Sequence, residues 1–229
     1  ILHRLSEIDL IIRQGSESFD FHRLFIALHS FCATDLSSFY FDIRKDSLYC
    51  DSIKSRRRRA ARTVLSEIYS CLSAWFAPIL CFTSEEAWML RNTGDQSSVH
   101  LRQFQEIPNE WHNRDVLSRW SGIRDLRRVV TGALDLERRE KRIGASLQAH
   151  AHICGADSFR EDIKDVDLST IFITSGVSFH DESHFRDSNT FTLDDVPGVS
   201  VNIAIADGEK CQRCWKVLSE VIDSPDHLC

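Results

Sequence analysis

The stretch from Phe31 to Asp51 places an aromatic and aliphatic stripe on one side of a predicted helix. Its apolar members recur at three- and four-residue spacing, which is the period of a helix face. They are Phe31, Cys32, Leu36, Phe39, Tyr40 and Ile43. The stripe stops where Arg44 and Lys45 begin a polar segment. Because such stripes are usually buried, we interpret the stretch as a core helix followed by a solvated segment.

Helical periodicity extends on both sides of this stretch, as far as Gly144. Pro78 removes a backbone donor and should end or kink the third helix. Gly15 and Gly144 stand where a left-handed residue could end a helix, and Thr83 to Glu86 has the spacing of a capping box. The predicted helices cover residues 1–13, 20–43, 52–80, 83–91 and 115–143.

A different pattern follows Gly144, because apolar and polar residues begin to alternate as in half-buried strands. The predicted strands are 147–153, 171–179 and 199–205. The fold class is therefore mainly α: a helical bundle, then a small α/β domain and an incomplete zinc knuckle. The predicted divisions are an α-helical domain (1–112), a long connecting helix (113–144), a small α/β domain (145–206) and a truncated zinc-binding tail (207–229).

Charge is distributed unevenly along the 229 residues, whose net charge is −6. Residues 1–144 contain 22 Lys and Arg against 19 Asp and Glu, whereas residues 145–210 contain 4 against 12. Any nucleic-acid surface should therefore lie mainly before Gly144. Eight irregularly spaced cysteines indicate a reducing cytosol, so we expect a cytoplasmic protein, and no apolar run is long enough to span a membrane. The lack of an initiator Met indicates an excised fragment.

Three cysteines near the end of the chain have spacing that suits a metal. Cys211 and Cys214 form a Cys-x-x-Cys knuckle that could hold Zn²⁺, and Cys229 follows where a second pair would begin. A structural zinc site needs a fourth ligand, for which His227 is badly spaced, so we expect that ligand beyond the chain. The competing interpretation is a redox dithiol, which predicts a depressed thiolate pKa at Cys211 or Cys214.

The basic run from Arg56 to Arg59, with Arg62 one turn later, has two interpretations. Four consecutive arginines point all round a helix, so the run could be only a solvated helix end. Arginine also pairs bidentately with phosphate, and a cluster beside an aromatic-rich surface suits an RNA hairpin. No Gly-rich phosphate loop and no nucleophile elbow accompany the run, which argues against catalysis by this chain alone.

Five stretches resemble, in order, the carboxy-terminal region of bacterial isoleucyl-tRNA synthetases. They are Asp35–Asp51, Arg58–Leu65, Pro78–Trp88, Lys141–Leu147 and Asp207–Lys216. The resemblance implies an anticodon-binding domain with a truncated zinc-binding tail, which would hold the anticodon stem-loop of isoleucine tRNA. The parent enzyme would attach isoleucine to that tRNA using ATP and Mg²⁺. The signatures of that catalytic step and of editing are missing here, so this chain should be inactive alone.

The resemblance and the chemistry of the side chains together predict which residues contact tRNA. We predict that they are Arg44, Lys45, Arg58, Arg59 and Arg62 on the helical domain, and Arg213, Trp215 and Lys216 on the tail. The metal ligands would be Cys211, Cys214 and Cys229. Partners would be isoleucine tRNA and the catalytic body of the same enzyme, with no membrane and with a monomeric chain. Without the resemblance, a helical protein-interaction module remains an alternative.

Overall fold

The computed structural model describes residues 1–93, 98–181 and 190–229. These residues form two compact units, Ile1–Arg114 and Asp115–Cys229. The predicted fold class is confirmed, because the first unit is helical and the second contains a small sheet. The division into four segments remains a prediction.

The described part of the first unit contains five α-helices and one π-helical segment, together with short 3-10 turns at Val99–Leu101 and Asn109–Trp111. The helices are α1 (Leu2–Glu17), α2 (Phe21–Ser30), the π segment (Phe31–Phe41), α3 (Asp42–Tyr49), α4 (Arg56–Phe76) and α5 (Cys81–Met89). Residues Phe21–Tyr49 run as one continuous helix through the π segment. The predicted 20–43 helix is therefore confirmed, and it extends six residues beyond the stripe that predicted it.

The core of the first unit is built from the apolar faces that the periodicity predicted. It contains Leu5, Ile8 and Ile12 of α1, Leu24 and Leu28 of α2, Phe31, Leu36 and Tyr40 of the π segment, and Ile68, Cys71 and Trp75 of α4. Burial of each large side chain contributes roughly 1.5–3 kcal/mol, so packing rather than helix propensity holds these elements together.

The continuous helix Phe21–Tyr49 is long and apolar enough to cross a membrane by length and composition alone. Core helices pass the same test, and this one carries the buried side chains of Leu28, Phe31 and Leu36. Packing within the first unit accounts for these three side chains, whereas Phe25 and Ile26 of the same helix are exposed.

Polar side chains and one proline define several helix boundaries. Asp20 caps α2 by accepting a hydrogen bond from the amide of Arg23 at 3.1 Å. Ser55 caps α4 by accepting one from the amide of Arg58 at 3.3 Å, an interaction typically worth about 1 kcal/mol. The α4 helix ends at Phe76, just before Pro78, as the sequence predicted.

Three predicted boundaries in the first unit are wrong, and the first of them is the start of the third helix, since α4 begins at Arg56 and not at residue 52. The α1 helix continues through Gly15 to Glu17, and a Cβ at Gly15 would lie 3.3 Å from the Cβ of Leu24. Gly15 is therefore small because α2 approaches it closely, not because it ends the helix. The α5 helix starts at Cys81, which places Thr83 inside the helix instead of at its cap.

The second unit contains a long helix and a four-stranded sheet. Its elements are α6 (Arg114–Arg139), β1 (Ala149–Cys154), α7 (Arg160–Ile163), α8 (Leu168–Phe172), β2 (Gly176–His180), β3 (Phe191–Leu193), β4 (Val196–Ile205), β5 (Glu209–Lys210) and β6 (Val217–Leu218). The sheet order is β2-β1-β4-β3; β1 runs parallel to β2 and antiparallel to β4. Gly132 of α6 lies against the ring of Phe191 in β3, where a Cβ would collide.

The ends of two elements in the second unit differ from the prediction. The α6 helix ends at Arg139, and the left-handed residue is Lys141, with φ of 58°, instead of Gly144. The amide of Arg142 bonds the carbonyl of Glu137 at 3.0 Å, which completes a Schellman-type end. The stretch predicted as a strand over 171–179 begins inside a helix: α8 ends at Phe172, and β2 starts only at Gly176.

Candidate nucleic-acid interface and metal centre

The three tail cysteines converge in space. Cys211 directly follows β5, and the β5–β6 hairpin folds the Cys-x-x-Cys turn back against the last residue, Cys229. The sulfur of Cys229 lies 3.5 Å from that of Cys211 and 3.4 Å from that of Cys214. Thiolates on one tetrahedral zinc, with Zn–S bonds of about 2.3 Å, are separated by about 3.8 Å. The predicted ligands are thus arranged compatibly with a zinc site.

Backbone amides polarise the Cys211 sulfur. The amides of Arg213 and Cys229 each lie 3.4 Å from it. Burial opposes ionisation, but these donors and the amide of Cys214 outweigh burial and lower the pKa of the Cys211 thiol to about 6. Burial and the neighbouring thiols raise the pKa of Cys229. The Cys211 thiolate is therefore available to bind a cation at neutral pH. Binding of a cation by Cys229 would have to displace the proton of its thiol.

The described residues supply three ligands and no fourth. Among them, Cys211, Cys214 and Cys229 form the one group of three or more potential ligands whose donor atoms all lie within 4.8 Å of one another. His227 lies outside this group, because its Nδ1 faces the carboxylate of Glu209 at 3.1 Å. Zn²⁺ would cross-link the hairpin to the end of the chain, a structural role.

The knuckle presents an aromatic ring to solvent. Trp215 is 61% exposed and has a left-handed backbone, with φ of 67°. The ammonium of Lys210 lies 5.1 Å from the ring centroid, and Arg213 is also exposed. Lys210 was not among the predicted tRNA contacts; its position immediately before Cys211 in the sequence could have indicated it. An exposed ring with a cation beside it can stack on a nucleic-acid base.

Lys216 is placed differently from the other predicted tail contacts. Its ammonium donates to the hydroxyl of Ser169 at 3.1 Å, so it connects the knuckle to α8. Burial opposes ionisation of Asp167 beside it, but hydrogen bonds from Thr170 and Ser169, with the charge of Lys216, lower the pKa of Asp167. Lys216 therefore already has an internal partner.

Asp51 divides the arginine run into two groups. Its carboxylate accepts two hydrogen bonds from Arg57, at 2.9 and 2.7 Å, and these lower the pKa of Asp51 more than any other contact. Its carbonyl accepts from Arg58 at 2.8 Å, and Arg58 is half-buried. Two of the four consecutive arginines thus hold the turn between α3 and α4.

The remaining arginines of the run face solvent. Arg56, Arg59 and Arg62 are all exposed and follow one another at three-residue steps along α4. Side chains three apart on a helix are neighbours, so these three form a positive strip, which we call the arginine strip. Arg56 was not among the predicted contacts; its spacing from Arg59 was the available signal.

The two predicted cations on α3 have local partners. The guanidinium of Arg44 lies 5.7 Å from the ring centroid of Tyr40, and Lys45 donates to Asp42 at 2.7 Å. Burial raises the pKa of Tyr40, an effect that Arg44 partly offsets. Lys45 is 65% exposed, and exposed ion pairs of this kind are worth less than about 1 kcal/mol. A phosphate could therefore replace Asp42 as the partner of Lys45 at little cost.

Comparison with known proteins places this geometry in a family. The sequence model of the family described as the anticodon-binding domain of tRNA ligase matches residues 1–153. The chain belongs to this anticodon-binding domain family.

Similar proteins are bacterial isoleucine–tRNA ligases. The chain is 45% identical to the one from Agrobacterium fabrum over 229 residues, 44% to that from Bartonella henselae over 228 and 45% to that from Brucella abortus over 227. Each match covers 99% of this chain and 23% of the relative. The chain thus spans about a quarter of the length of these relatives. The resemblance stated from the motifs is confirmed.

The family match divides the candidate residues of this anticodon-binding domain protein into two sets. The arginine strip, Arg44 and Lys45 lie inside the matched range 1–153. The cysteine cluster and Trp215 lie outside it, but within the range shared with the ligases. The anticodon-binding fold therefore carries the first set, and the ligase tail carries the second. Neither comparison assigns a role to any of these side chains, so the individual contacts remain predictions.

Proposed function

We propose that this chain binds the anticodon stem-loop of isoleucine tRNA as the anticodon-binding part of an isoleucine–tRNA ligase. The observation that carries the proposal is the match to the anticodon-binding family over 1–153, the range that contains the exposed arginine strip. The phosphate backbone supplies most of the affinity in such complexes, and arginine is the side chain best shaped to pair with phosphate. The acceptor end would then reach a catalytic site elsewhere in the ligase.

The tail would add contacts to nucleotide bases, beside the phosphate contacts of the arginine strip. Trp215 would stack on an unpaired base, with Lys210 and Arg213 beside it as cations. Zn²⁺ bound by Cys211, Cys214 and Cys229 would fix the turn that carries this ring. Lys216 and Arg58 would support the two surfaces from within, because each already bonds an internal oxygen.

The remainder of the ligase is the second partner that we propose. The chain covers 23% of relatives such as that from Agrobacterium fabrum. Phe19, Phe21, Phe25 and Ile26 form an apolar group at the start of α2, each at least 47% exposed. Such a group marks a protein contact more often than an RNA contact. The catalytic body, with its ATP and Mg²⁺, would cover it in a cytoplasmic, monomeric enzyme.

Titration with tRNA tests the proposal. The chain, loaded with Zn²⁺, is titrated with isoleucine tRNA and with a non-cognate tRNA at low and moderate salt. We expect tighter cognate binding that weakens as salt increases. A folded chain that binds neither tRNA would contradict the proposal and favour a protein-interaction module.

Substitutions identify the surface responsible. Arg59→Ala and Arg62→Ala should each weaken binding of both tRNAs and lower the salt slope by about 0.7–0.9, the value for one lost phosphate contact. Arg160→Ala is the matched control, because Arg160 is an exposed arginine in the acidic segment. Equal effects of all three substitutions would show that Arg59 and Arg62 contribute only to the overall charge of the chain and make no specific phosphate contact.

A further inference from the structure

Strand β1 carries two histidines on the face opposite Ala149, Ala151 and Ile153, and the buried Cys154 follows them on the histidine face. Ala149, Ala151 and Ile153 are fully buried on one face. His150 and His152 alternate with them and are half-buried, so both point to the other face. Their rings stack with centroids 4.7 Å apart.

A third histidine joins this face from the neighbouring strand. Strand β2 runs parallel to β1 with His152 opposite Ser178, so His180 lies two residues further along the same face. The Nδ1 atom of His152 lies 2.8 Å from the Nε2 atom of His180. Their ring centroids are 5.0 Å apart.

His150 is held by contacts of its own. Its Nε2 lies 2.7 Å from the hydroxyl of Ser178. Its ring lies over Gly176, where a Cβ would come within 2.4 Å of the imidazole. His150 therefore supports the ring of His152 by stacking, and the facing nitrogens belong to His152 and His180.

We propose that His152 and His180 chelate a divalent transition-metal cation that favours square-planar or tetragonal coordination, such as Cu²⁺ or Ni²⁺. Two nitrogens bound at about 2.0 Å and at right angles are about 2.8 Å apart, whereas a tetrahedral ion would separate them by about 3.3 Å. The observed 2.8 Å matches the first geometry. Imidazole is also a ligand type that these ions prefer.

The metal-free pair has the same separation because one ring donates a hydrogen bond to the other. Both nitrogens can coordinate once the donor ring carries its proton on its other nitrogen, so two neutral rings lose no net proton. Protonation of either ring would compete with the cation.

The surroundings give a cation access. His180 and Asp181 line a cavity of about 420 Å³ at the carboxyl ends of β1 and β2, together with Asp157 and Arg160. Water entering through this cavity could complete the coordination. The donor set is imidazole, which separates this site chemically from the thiolates of Cys211, Cys214 and Cys229.

Copper titration tests the assignment. The full chain is first loaded with one equivalent of Zn²⁺ to occupy the thiolates, then titrated with Cu²⁺ while pulsed electron paramagnetic resonance counts the imidazoles on the copper. We expect two imidazoles in the wild type and one in His152→Gln or His180→Gln, with affinity at least about tenfold weaker. His22→Gln, at an exposed histidine of α2, is the control and should keep both imidazoles.

A second copper titration uses a variant that lacks the three tail thiolates. The triple substitution Cys211→Ser, Cys214→Ser and Cys229→Ser should leave the two-imidazole signal intact, with circular dichroism verifying the fold of every variant. A folded wild type with fewer than two imidazoles on copper would overturn the proposal. So would a two-imidazole signal that persists in both His152→Gln and His180→Gln.

Discussion

Asp51 shows how one residue can decide the roles of its neighbours. In the sequence, Arg56 to Arg59 are four equivalent cations. In the structure, Asp51 binds Arg57 through its carboxylate and Arg58 through its carbonyl. These contacts fix the turn before α4 and leave Arg56 and Arg59 pointing to solvent. An ion pair six residues apart, across a turn, has no helical spacing that sequence periodicity could detect.

Cys211 provides a pH-dependent prediction at the same scale. Its pKa is lowered to about 6 in the folded chain, against about 8.5 for an unperturbed thiol. The folded state therefore gains stability from the thiolate above the unfolded pKa and loses that gain as pH falls through about 6. We expect the thiolate absorbance of the metal-free wild type, minus that of Cys211→Ser, to rise around pH 6.

Zinc separates the two interpretations of this thiolate. A metal ligand should show its thiolate at every pH where Zn²⁺ stays bound, so the absorbance step should move to lower pH when Zn²⁺ is added. A redox dithiol should keep the step near pH 6 with or without Zn²⁺. A difference that rises only around pH 8–9 would show that the amides of Arg213 and Cys229 do not stabilise the thiolate.

At the scale of elements, periodicity identified the helices but misjudged several of their ends. The faces of α1, α2, α4 and α6 follow from apolar spacing, because one continuous stripe needs one continuous helix. The boundary at Gly15 was mispredicted because the sequence does not distinguish a glycine that allows a neighbouring helix to approach closely from a glycine that ends a helix. The boundary within 171–179 was mispredicted because Ile171 and Phe172, the last apolar residues of α8, stand only a few positions before the apolar residues of β2.

The candidate sites likewise differ in how far their sequence spacing could predict them. The cysteine cluster was predictable because its spacing in sequence reflects one tight turn. The pair formed by His152 and His180 was not, since their proximity depends on the register of two strands joined by a helix. Lys216 and Arg58 remain predicted contacts, but the sequence reports only their charge and could not reveal the internal oxygen that each one bonds.

The end of α6 supports a prediction with a built-in control. Lys141 adopts φ of 58°, a conformation that disfavours side chains, and its amide bonds the carbonyl of Arg138 at 3.1 Å. Lys141→Gly should therefore raise the free energy of unfolding by about 0.5–1 kcal/mol. Chemical denaturation followed by circular dichroism measures the change.

The control is the glycine that sequence nominated for this position. Gly144 lacks a left-handed backbone, and a Cβ there would meet only the side-chain oxygen of Gln148 at 3.3 Å. Gly144→Ala should therefore change stability by less than about 0.5 kcal/mol. A loss in Lys141→Gly with a larger loss in Gly144→Ala would mean that the helix ends at Gly144 after all.

For the whole molecule, net charge is a poor guide to where RNA binds. The first unit contains 14 Lys and Arg and 14 Asp and Glu, so its net charge is zero. The excess of cations counted over residues 1–144 comes from residues 115–144, which belong to the second unit. The proposed attraction of tRNA to the first unit must therefore be local, and the arginine strip on α4 would supply that local charge.

Zinc should act on the chain locally as well. A ligand stabilises the elements whose native structure it needs, in proportion to RT ln(1 + [L]/Kd). All three thiolates lie in the second unit, so Zn²⁺ should slow hydrogen exchange in peptides covering β5, β6 and the turn at Cys211. Peptides from α4, which supplies no ligand, are the internal reference within the same sample.

Two serine substitutions make the zinc prediction specific. Cys211→Ser should abolish the protection, whereas Cys81→Ser, at an exposed thiol in α5, should leave it unchanged. Protection of β5 and β6 that survives in Cys211→Ser would assign the metal to other ligands. Equal protection of α4 would mean that zinc acts on the whole chain and not on the knuckle, and Trp215 would then lose its proposed dependence on the metal.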